Sequence, residues 1–185
     1  MTTMLVLLAL LAALGAWALV AFNRLVRLRN QVRTAWADID VQLTRRHDLV
    51  PSLVSAVKAY AGHEASTLEA VTALRARATA TTAPAPLGEV EGELAQAIGR
   101  LVALREAYPE LKASDNFSAL QRDLVEVEEQ LQYARRFYNG TVRDYNDATQ
   151  RFPDLLVARG FGFQAAGFFQ ADEDERAPVK VELAR

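Results

Sequence analysis

Two histidines are the natural starting point for any chemistry in this chain. His63-Glu64 opens the pattern of a zinc-protease helix, but position 67 is Thr where the second histidine would stand. A di-iron bundle needs Glu-x-x-His on two helices. The residues three before His47 and His63 are Thr44 and Tyr60, so that ligand set is missing. No Gly-x-Ser-x-Gly turn positions a serine nucleophile. There are no cysteines, which excludes disulfides, thiol catalysis, Cys-ligated metal centres and lipid-modified cysteine. The pairs Arg45-Arg46 and Arg135-Arg136 have the charge to hold phosphate. They read more simply as solvated helix faces with carboxylate partners such as Asp48 or Glu128. Nothing assembles a nucleophile, a base and an oxyanion site. The expectation is a protein that is not an enzyme, with no catalytic residue, no cofactor and no metal.

The elements that would position such groups are helices. From Leu25 the apolar residues recur at three-and-four spacing. Trp36, Leu43, Val50 and Val57 form one row; Leu25, Val32, Ile39, Leu53 and Tyr60 form the other, interrupted by Arg46. Pro51 predicts a kink near His47 or a new helix capped by Asp48, and Gly62 is either a stop or a position the helix passes through. A second helical stretch covers about 63–79. Residues 79–88, with Pro84, Pro86 and Gly88, read as a loop. A third helix covers about 89–107 with Leu94, Ile98, Leu101 and Leu104 inward, ended by Tyr108-Pro109. Ser114 or Asp115 caps a fourth, in which Phe117, Leu124, Leu131, Tyr138, Tyr145 and Phe152 stand seven apart. Trp36, Ile39, Leu43 and this aromatic-aliphatic row are the expected packing seam. A short helical turn then runs from Asp154 to Arg159.

Charge and hydropathy are unevenly distributed. The net charge of −2 excludes a globally basic nucleic-acid binder, and no nucleic-acid partner is expected. Residues 24–61 carry seven basic and three acidic side chains, and the remainder carries 14 and 20. From Met4 to Phe22, 19 consecutive residues, only Gly15 is neither apolar nor aromatic. At 1.5 Å per residue that run spans about 28 Å, close to a bilayer's hydrocarbon thickness. Ala16-Trp17-Ala18 resembles a signal-peptidase site, but Met1-Thr2-Thr3 supplies no basic region before the run, so a retained transmembrane anchor is the favoured reading. Arg24, Arg27, Arg29 and Arg33 follow it, and no Lys or Arg precedes it. This predicts an outside N-terminus and a cytoplasmic body, with the arginines near anionic headgroups.

The expected fold is therefore all-α: an anchor over 1–22, an antiparallel up-and-down four-helix bundle over 23–160, and a Gly-aromatic and acidic tail over 161–185. Phe161, Phe163, Phe168 and Phe169 would tuck onto the bundle or face a partner. The alternation through Val179, Val181 and Leu183 suits docking onto a partner by strand addition.

A larger set of residues resembles one known family. It comprises Asn23 through Asn30, Ala35-Trp36, Ile39-Asp40-Val41-Gln42-Leu43, Arg45-Arg46, Asp48-Leu49-Val50-Pro51, Tyr60-Ala61, His63-Glu64, Glu106 through Ala113, Asn116-Phe117, Leu120-Gln121, Ala134-Arg135-Arg136, Tyr138-Asn139, Tyr145-Asn146 and Phe152-Pro153. Together they look like the LemA family of bacterial membrane-anchored proteins. Where the family pattern has Glu-Asn-Arg in the last long helix, this chain reads Glu128-Glu129-Gln130. The resemblance implies one N-terminal membrane helix in the bacterial inner membrane, followed by a four-helix bundle, and no catalytic residues. Some relatives act in building specialised membranes and others are encoded near membrane metalloproteases. Two roles follow as expectations. One is a self-associating scaffold on the lipid bilayer, a homo-oligomer. The other is an adaptor offering its C-terminal tail to a membrane-protein partner such as a protease.

Overall fold

The apolar three-and-four rows wind into one helix, α1 (Thr2–Tyr60), in a computed structural model that describes residues 1–169. Leu25, Val32, Ile39, Leu43, Val50, Leu53 and Val57 are all buried along it, as their spacing requires. Pro51 lies inside α1, which runs through it. The helix ends before Gly62, and α2 begins at Ala65 (Ala65–Ala80). A side chain at Gly62 would stand 3.3 Å from the Lys58 carbonyl, so the small residue suits this tight exit.

The expected loop at 79–88 is much shorter. α3 (Pro84–Ala103) starts at its first proline, leaving residues 81–83 as the connection. Pro84 and Pro86 occupy the first turn, where a missing N–H breaks no intrahelical bond. The buried stripe of α3 is Leu87, Val90, Leu94, Ala97, Ile98 and Leu101. A 3₁₀ turn (Leu104–Glu106) and the single turn α4 (Pro109–Lys112) follow, then α5 (Asp115–Gln150). Ser114 Oγ accepts a hydrogen bond from the Phe117 N–H (3.4 Å), the capping bond its sequence position predicts. The last helix among the described residues is α6 (Asp154–Gly160). No strand occurs among the described residues, and the fold is all-α.

The chain divides into two compact units. One joins Met1–Ile39 to Arg136–Phe168; the other is Asp40–Arg135 with Phe169 among the described residues. The core of the first includes Ala21, Leu25, Ala148, Val157 and Ala158, with Trp17, Ala18, Phe22, Leu28 and Phe163 packed on it. The second buries Leu43, Val50, Leu53 and Val57 of α1, Leu68 and Val71 of α2, the stripe of α3, and Phe117, Leu124, Val127 and Leu131 of α5. Each aliphatic side chain so buried contributes roughly 1.5–3 kcal/mol.

The seven-residue row on α5 is buried from Phe117 to Tyr145 but not at its end: Phe152 is 74% exposed. α5 stops at Gln150, and the turn at 151–153 takes Phe152 out of phase with the seam. Trp36 is half-buried, its ring 5.3 Å from that of Tyr138. Residues 170–185, which carry the acidic run and Val179, Val181 and Leu183, lie outside the described residues.

Candidate functional site

The polar interruption in the α1 seam is the centre of a buried ionic cluster in the second unit. Arg46 and Glu91 are both completely removed from solvent. Arg46 Nη1 donates to Glu91 Oε2 at 2.8 Å and to the Glu91 main-chain carbonyl at 3.3 Å. Arg46 Nη2 donates to Glu128 on α5. His47 Nε2 donates to the other Glu91 oxygen at 2.6 Å, and Arg75 Nε on α2 donates to the His47 carbonyl at 2.6 Å. The long helices α1, α2, α3 and α5 thus each contribute a group.

Arg46 departs from its expected solvated face. Seam positions 39, 43, 46, 50, 53 and 57 keep one phase, so residue 46 is buried whatever its type, and it brings its carboxylates with it. Arg45, one position earlier, stays half-exposed, 3.5 Å from Glu126. Glu128 is an Arg46 partner, as expected. Glu91 has no role in the sequence reading, although its spacing reveals it. It stands three residues before Leu94 and seven before Ile98, on the apolar stripe of α3. A lone carboxylate on one buried stripe and a lone guanidinium on another are the signal of such a pair.

The cluster is a helix-joining device. Both Glu91 oxygens are already engaged by donors. His63 and Glu64 are not drawn into it: Glu64 accepts from the Tyr108 hydroxyl at 3.2 Å. Among the described residues no group of three or more His, Asp or Glu side chains is placed to hold a metal ion.

In the first unit, polar side chains of α5 secure the Gly-aromatic segment. Gly162 (φ 70°) takes the left-handed conformation that ends α6. The Phe163 N–H bonds the Ala158 carbonyl (2.9 Å) and the Gly162 N–H that of Arg159 (3.4 Å), the paired bonds of a Schellman stop. The chain turns back, and Phe163 packs edge-on against Phe22 (5.7 Å) with the Arg29 guanidinium 5.1 Å from its ring. Asn146 pairs with Ala166 as a second strand would. Its Oδ1 accepts from the Ala166 N–H (2.8 Å), and its Nδ2 donates to the Ala166 carbonyl (2.9 Å). The Tyr138 hydroxyl donates to the Gly167 carbonyl (2.8 Å). Burial raises the Tyr138 and Tyr145 phenols above the ordinary 10.0, Arg29 and Arg33 working against the shift at Tyr145.

Of the four aromatics expected to tuck or to face a partner, Phe161 is 67% and Phe168 47% exposed, and Phe163 is half-buried. Phe169 is fully buried in the second unit, its ring 5.1 Å from the Arg135 guanidinium, and is no contact surface. Of the membrane-proximal arginines, Arg24 bonds Asp154 of α6 at 3.0 Å. Arg27 and Arg33 are exposed and Arg29 is half-buried.

Residues 35–183 match the LemA family, most of the chain and both polar arrangements. This protein belongs to the LemA family. Its relatives include Magnetosome protein MamQ 2 of Paramagnetospirillum magneticum, 23% identical over 190 residues that cover 89% of this chain and 70% of the relative. Magnetosome protein MamQ of Magnetospirillum gryphiswaldense is 22% identical, with 92% and 75% covered. Protein LemA of Metamycoplasma hominis is 26% identical, with 88% and 75% covered. The matched range includes Tyr138 and Asn146, which hold the backbone at 166–167, and Arg46, which enters the buried cluster.

Proposed function

We propose that this LemA-family protein is a membrane-anchored helical scaffold that self-associates and recruits by contact, without catalysis of its own. One observation carries the reading. Residues 2–16 of α1 are exposed along their whole length, in a helix whose apolar N-terminal stretch is long enough to cross a bilayer. A helix whose apolar surface the protein's own core does not cover needs another apolar phase. The same helix then continues without a loop to Tyr60. The buried cluster supports a holding role, because its ion pairs join α1, α3 and α5 and Arg75 of α2 bonds a main-chain carbonyl of α1. The arginines that follow the apolar run support a cytoplasmic body and an outside N-terminus in the bacterial inner membrane.

Cross-linking of the full chain in native membranes tests self-association. Dimers or larger species that persist when the protein is diluted among lipids are the expected result. Monomer alone under every condition removes the self-associating part of the reading.

A further inference from the structure

The exposed apolar side chains of α6 occupy a defined depth. Val157 and Ala158 pack with Ala21 and Leu25 of α1, and Trp17 and Ala18 pack on the same cluster. The ring of Phe161 lies 4.9 Å from that of Phe22, the last residue of the apolar run. α6 therefore stands where the uncharged helix gives way to the first arginine. At that level Leu156 is 59% and Phe161 67% exposed, although nearby positions Val157 and Ala158 are buried. Arginines flank α6 in sequence and follow the apolar run on α1. Arg27, Arg151 and Arg159 are exposed, and Arg24 is half-exposed beside Asp154. Asp154, the sole carboxylate in residues 150–169, is committed to Arg24.

We infer that α6 and Phe161 form an interfacial collar: Leu156 and Phe161 enter the headgroup–acyl boundary of the bilayer that α1 crosses, and the arginines that flank α6 in sequence and follow the apolar run meet anionic headgroups. The inference rests on the anchor reading above. Apolar side chains with a basic rim are the composition that binds a helix into an anionic lipid surface. Continuity with the membrane-crossing segment selects lipid as the occupant: the exposed pair sits beside the end of the apolar run, and a partner protein at that depth would have to displace the headgroups. The collar also gives the Gly162 turn and the Asn146–Ala166 pairing a purpose, since they fix Phe161 and Phe163 against Phe22.

The absence of cysteine permits a direct test on the full chain. Single variants Leu156→Cys, Phe161→Cys, Leu8→Cys and Ala37→Cys are spin-labelled and reconstituted into vesicles of equal phosphatidylcholine and phosphatidylglycerol. Collision rates with oxygen and with a water-soluble nickel complex are then measured. Ala37 is exposed and lies about 22 Å along α1 from Phe22. Labels at 156 and 161 should meet nickel roughly fivefold less often than the label at 37, and oxygen more often. Equal nickel exposure at 156, 161 and 37, with position 8 protected, overturns the collar and leaves the anchor standing. Nickel exposure at position 8 overturns the anchor and the collar with it. Protection from nickel without a gain in oxygen collisions means burial against protein and overturns the lipid assignment. In phosphatidylcholine alone the protection at 156 and 161 should shrink; unchanged protection overturns the role given to the arginines.

Discussion

Arg46 on α1 and Glu91 on α3 meet at 2.8 Å with neither side chain exposed to solvent. Removing two charges from water is costly, and the attraction between them offsets that only when the remaining donors and acceptors are also matched. Glu91 meets this condition through His47; Arg46 meets it at Nη1 and Nη2, through Glu91 and Glu128, while its Nε is buried without an acceptor. The pair therefore acts mainly by excluding alternatives. A helix register that separates Arg46 from Glu91 leaves a charge buried without its counterpart.

This gives an asymmetric expectation for substitution. Arg46→Met alone, or Glu91→Leu alone, should destabilise the second unit by about 3–5 kcal/mol, since each strands the other's charge. The double variant should recover much of that loss, because Glu128, one-third exposed, can turn to water. Urea unfolding in mild detergent, followed by circular dichroism, reads all three. Additive losses in the double variant would show that the two residues act independently.

Asn146 replaces backbone pairing for Ala166, so its loss should be felt locally. Asn146→Ala removes one donor and one acceptor and should speed hydrogen exchange at the Ala166 amide by about tenfold to a hundredfold, consistent with about 1–3 kcal/mol for a partly buried group left unmatched. Asn146→Asp keeps the acceptor for the Ala166 N–H and should fall between. Unchanged exchange in Asn146→Ala would show that the segment is held without it.

The buried tyrosines set an alkaline limit. For Tyr138 and Tyr145 the folded-state pKa is raised above 10.0 by burial. Their contribution to stability is fully present below pH 10 and is lost as pH rises through the raised folded values, because the unfolded chain gives up those protons first. Denaturation above and below pH 10 should show this fall. Tyr138→Phe, which keeps the ring beside Trp36, should flatten part of it. A stability that stays level through the alkaline range would contradict the burial of both phenols.

Much of this architecture is written in spacing. The rows Leu25 to Val57 and Phe117 to Tyr145 fix which faces of α1 and α5 are buried, because a helical period leaves no freedom once the apolar residues are placed. Ser114 as a cap and the 36-residue span of α5 follow from local chemistry in the same way. The departures have equally local causes. Pro84 and Pro86 look like loop residues but serve as a helix start, since proline is tolerated there and sequence alone does not say on which side of it the helix lies. Phe152 keeps the seven-residue count after α5 has ended. The Arg46–Glu91 pair joins residues 45 positions apart in sequence, and only packing brings those stripes together. The Asn146–Ala166 pairing depends on the left-handed Gly162 turning the chain back, which a periodicity cannot express.

The most direct test of the account is the intact mass of the protein that remains in membranes after an alkaline carbonate wash. A retained anchor predicts that the chain stays in the pellet with its full mass of 20.4 kDa. Release into the supernatant, or a mass lacking residues 1–18, would contradict an uncleaved bilayer-spanning α1 and the anchored scaffold built on it.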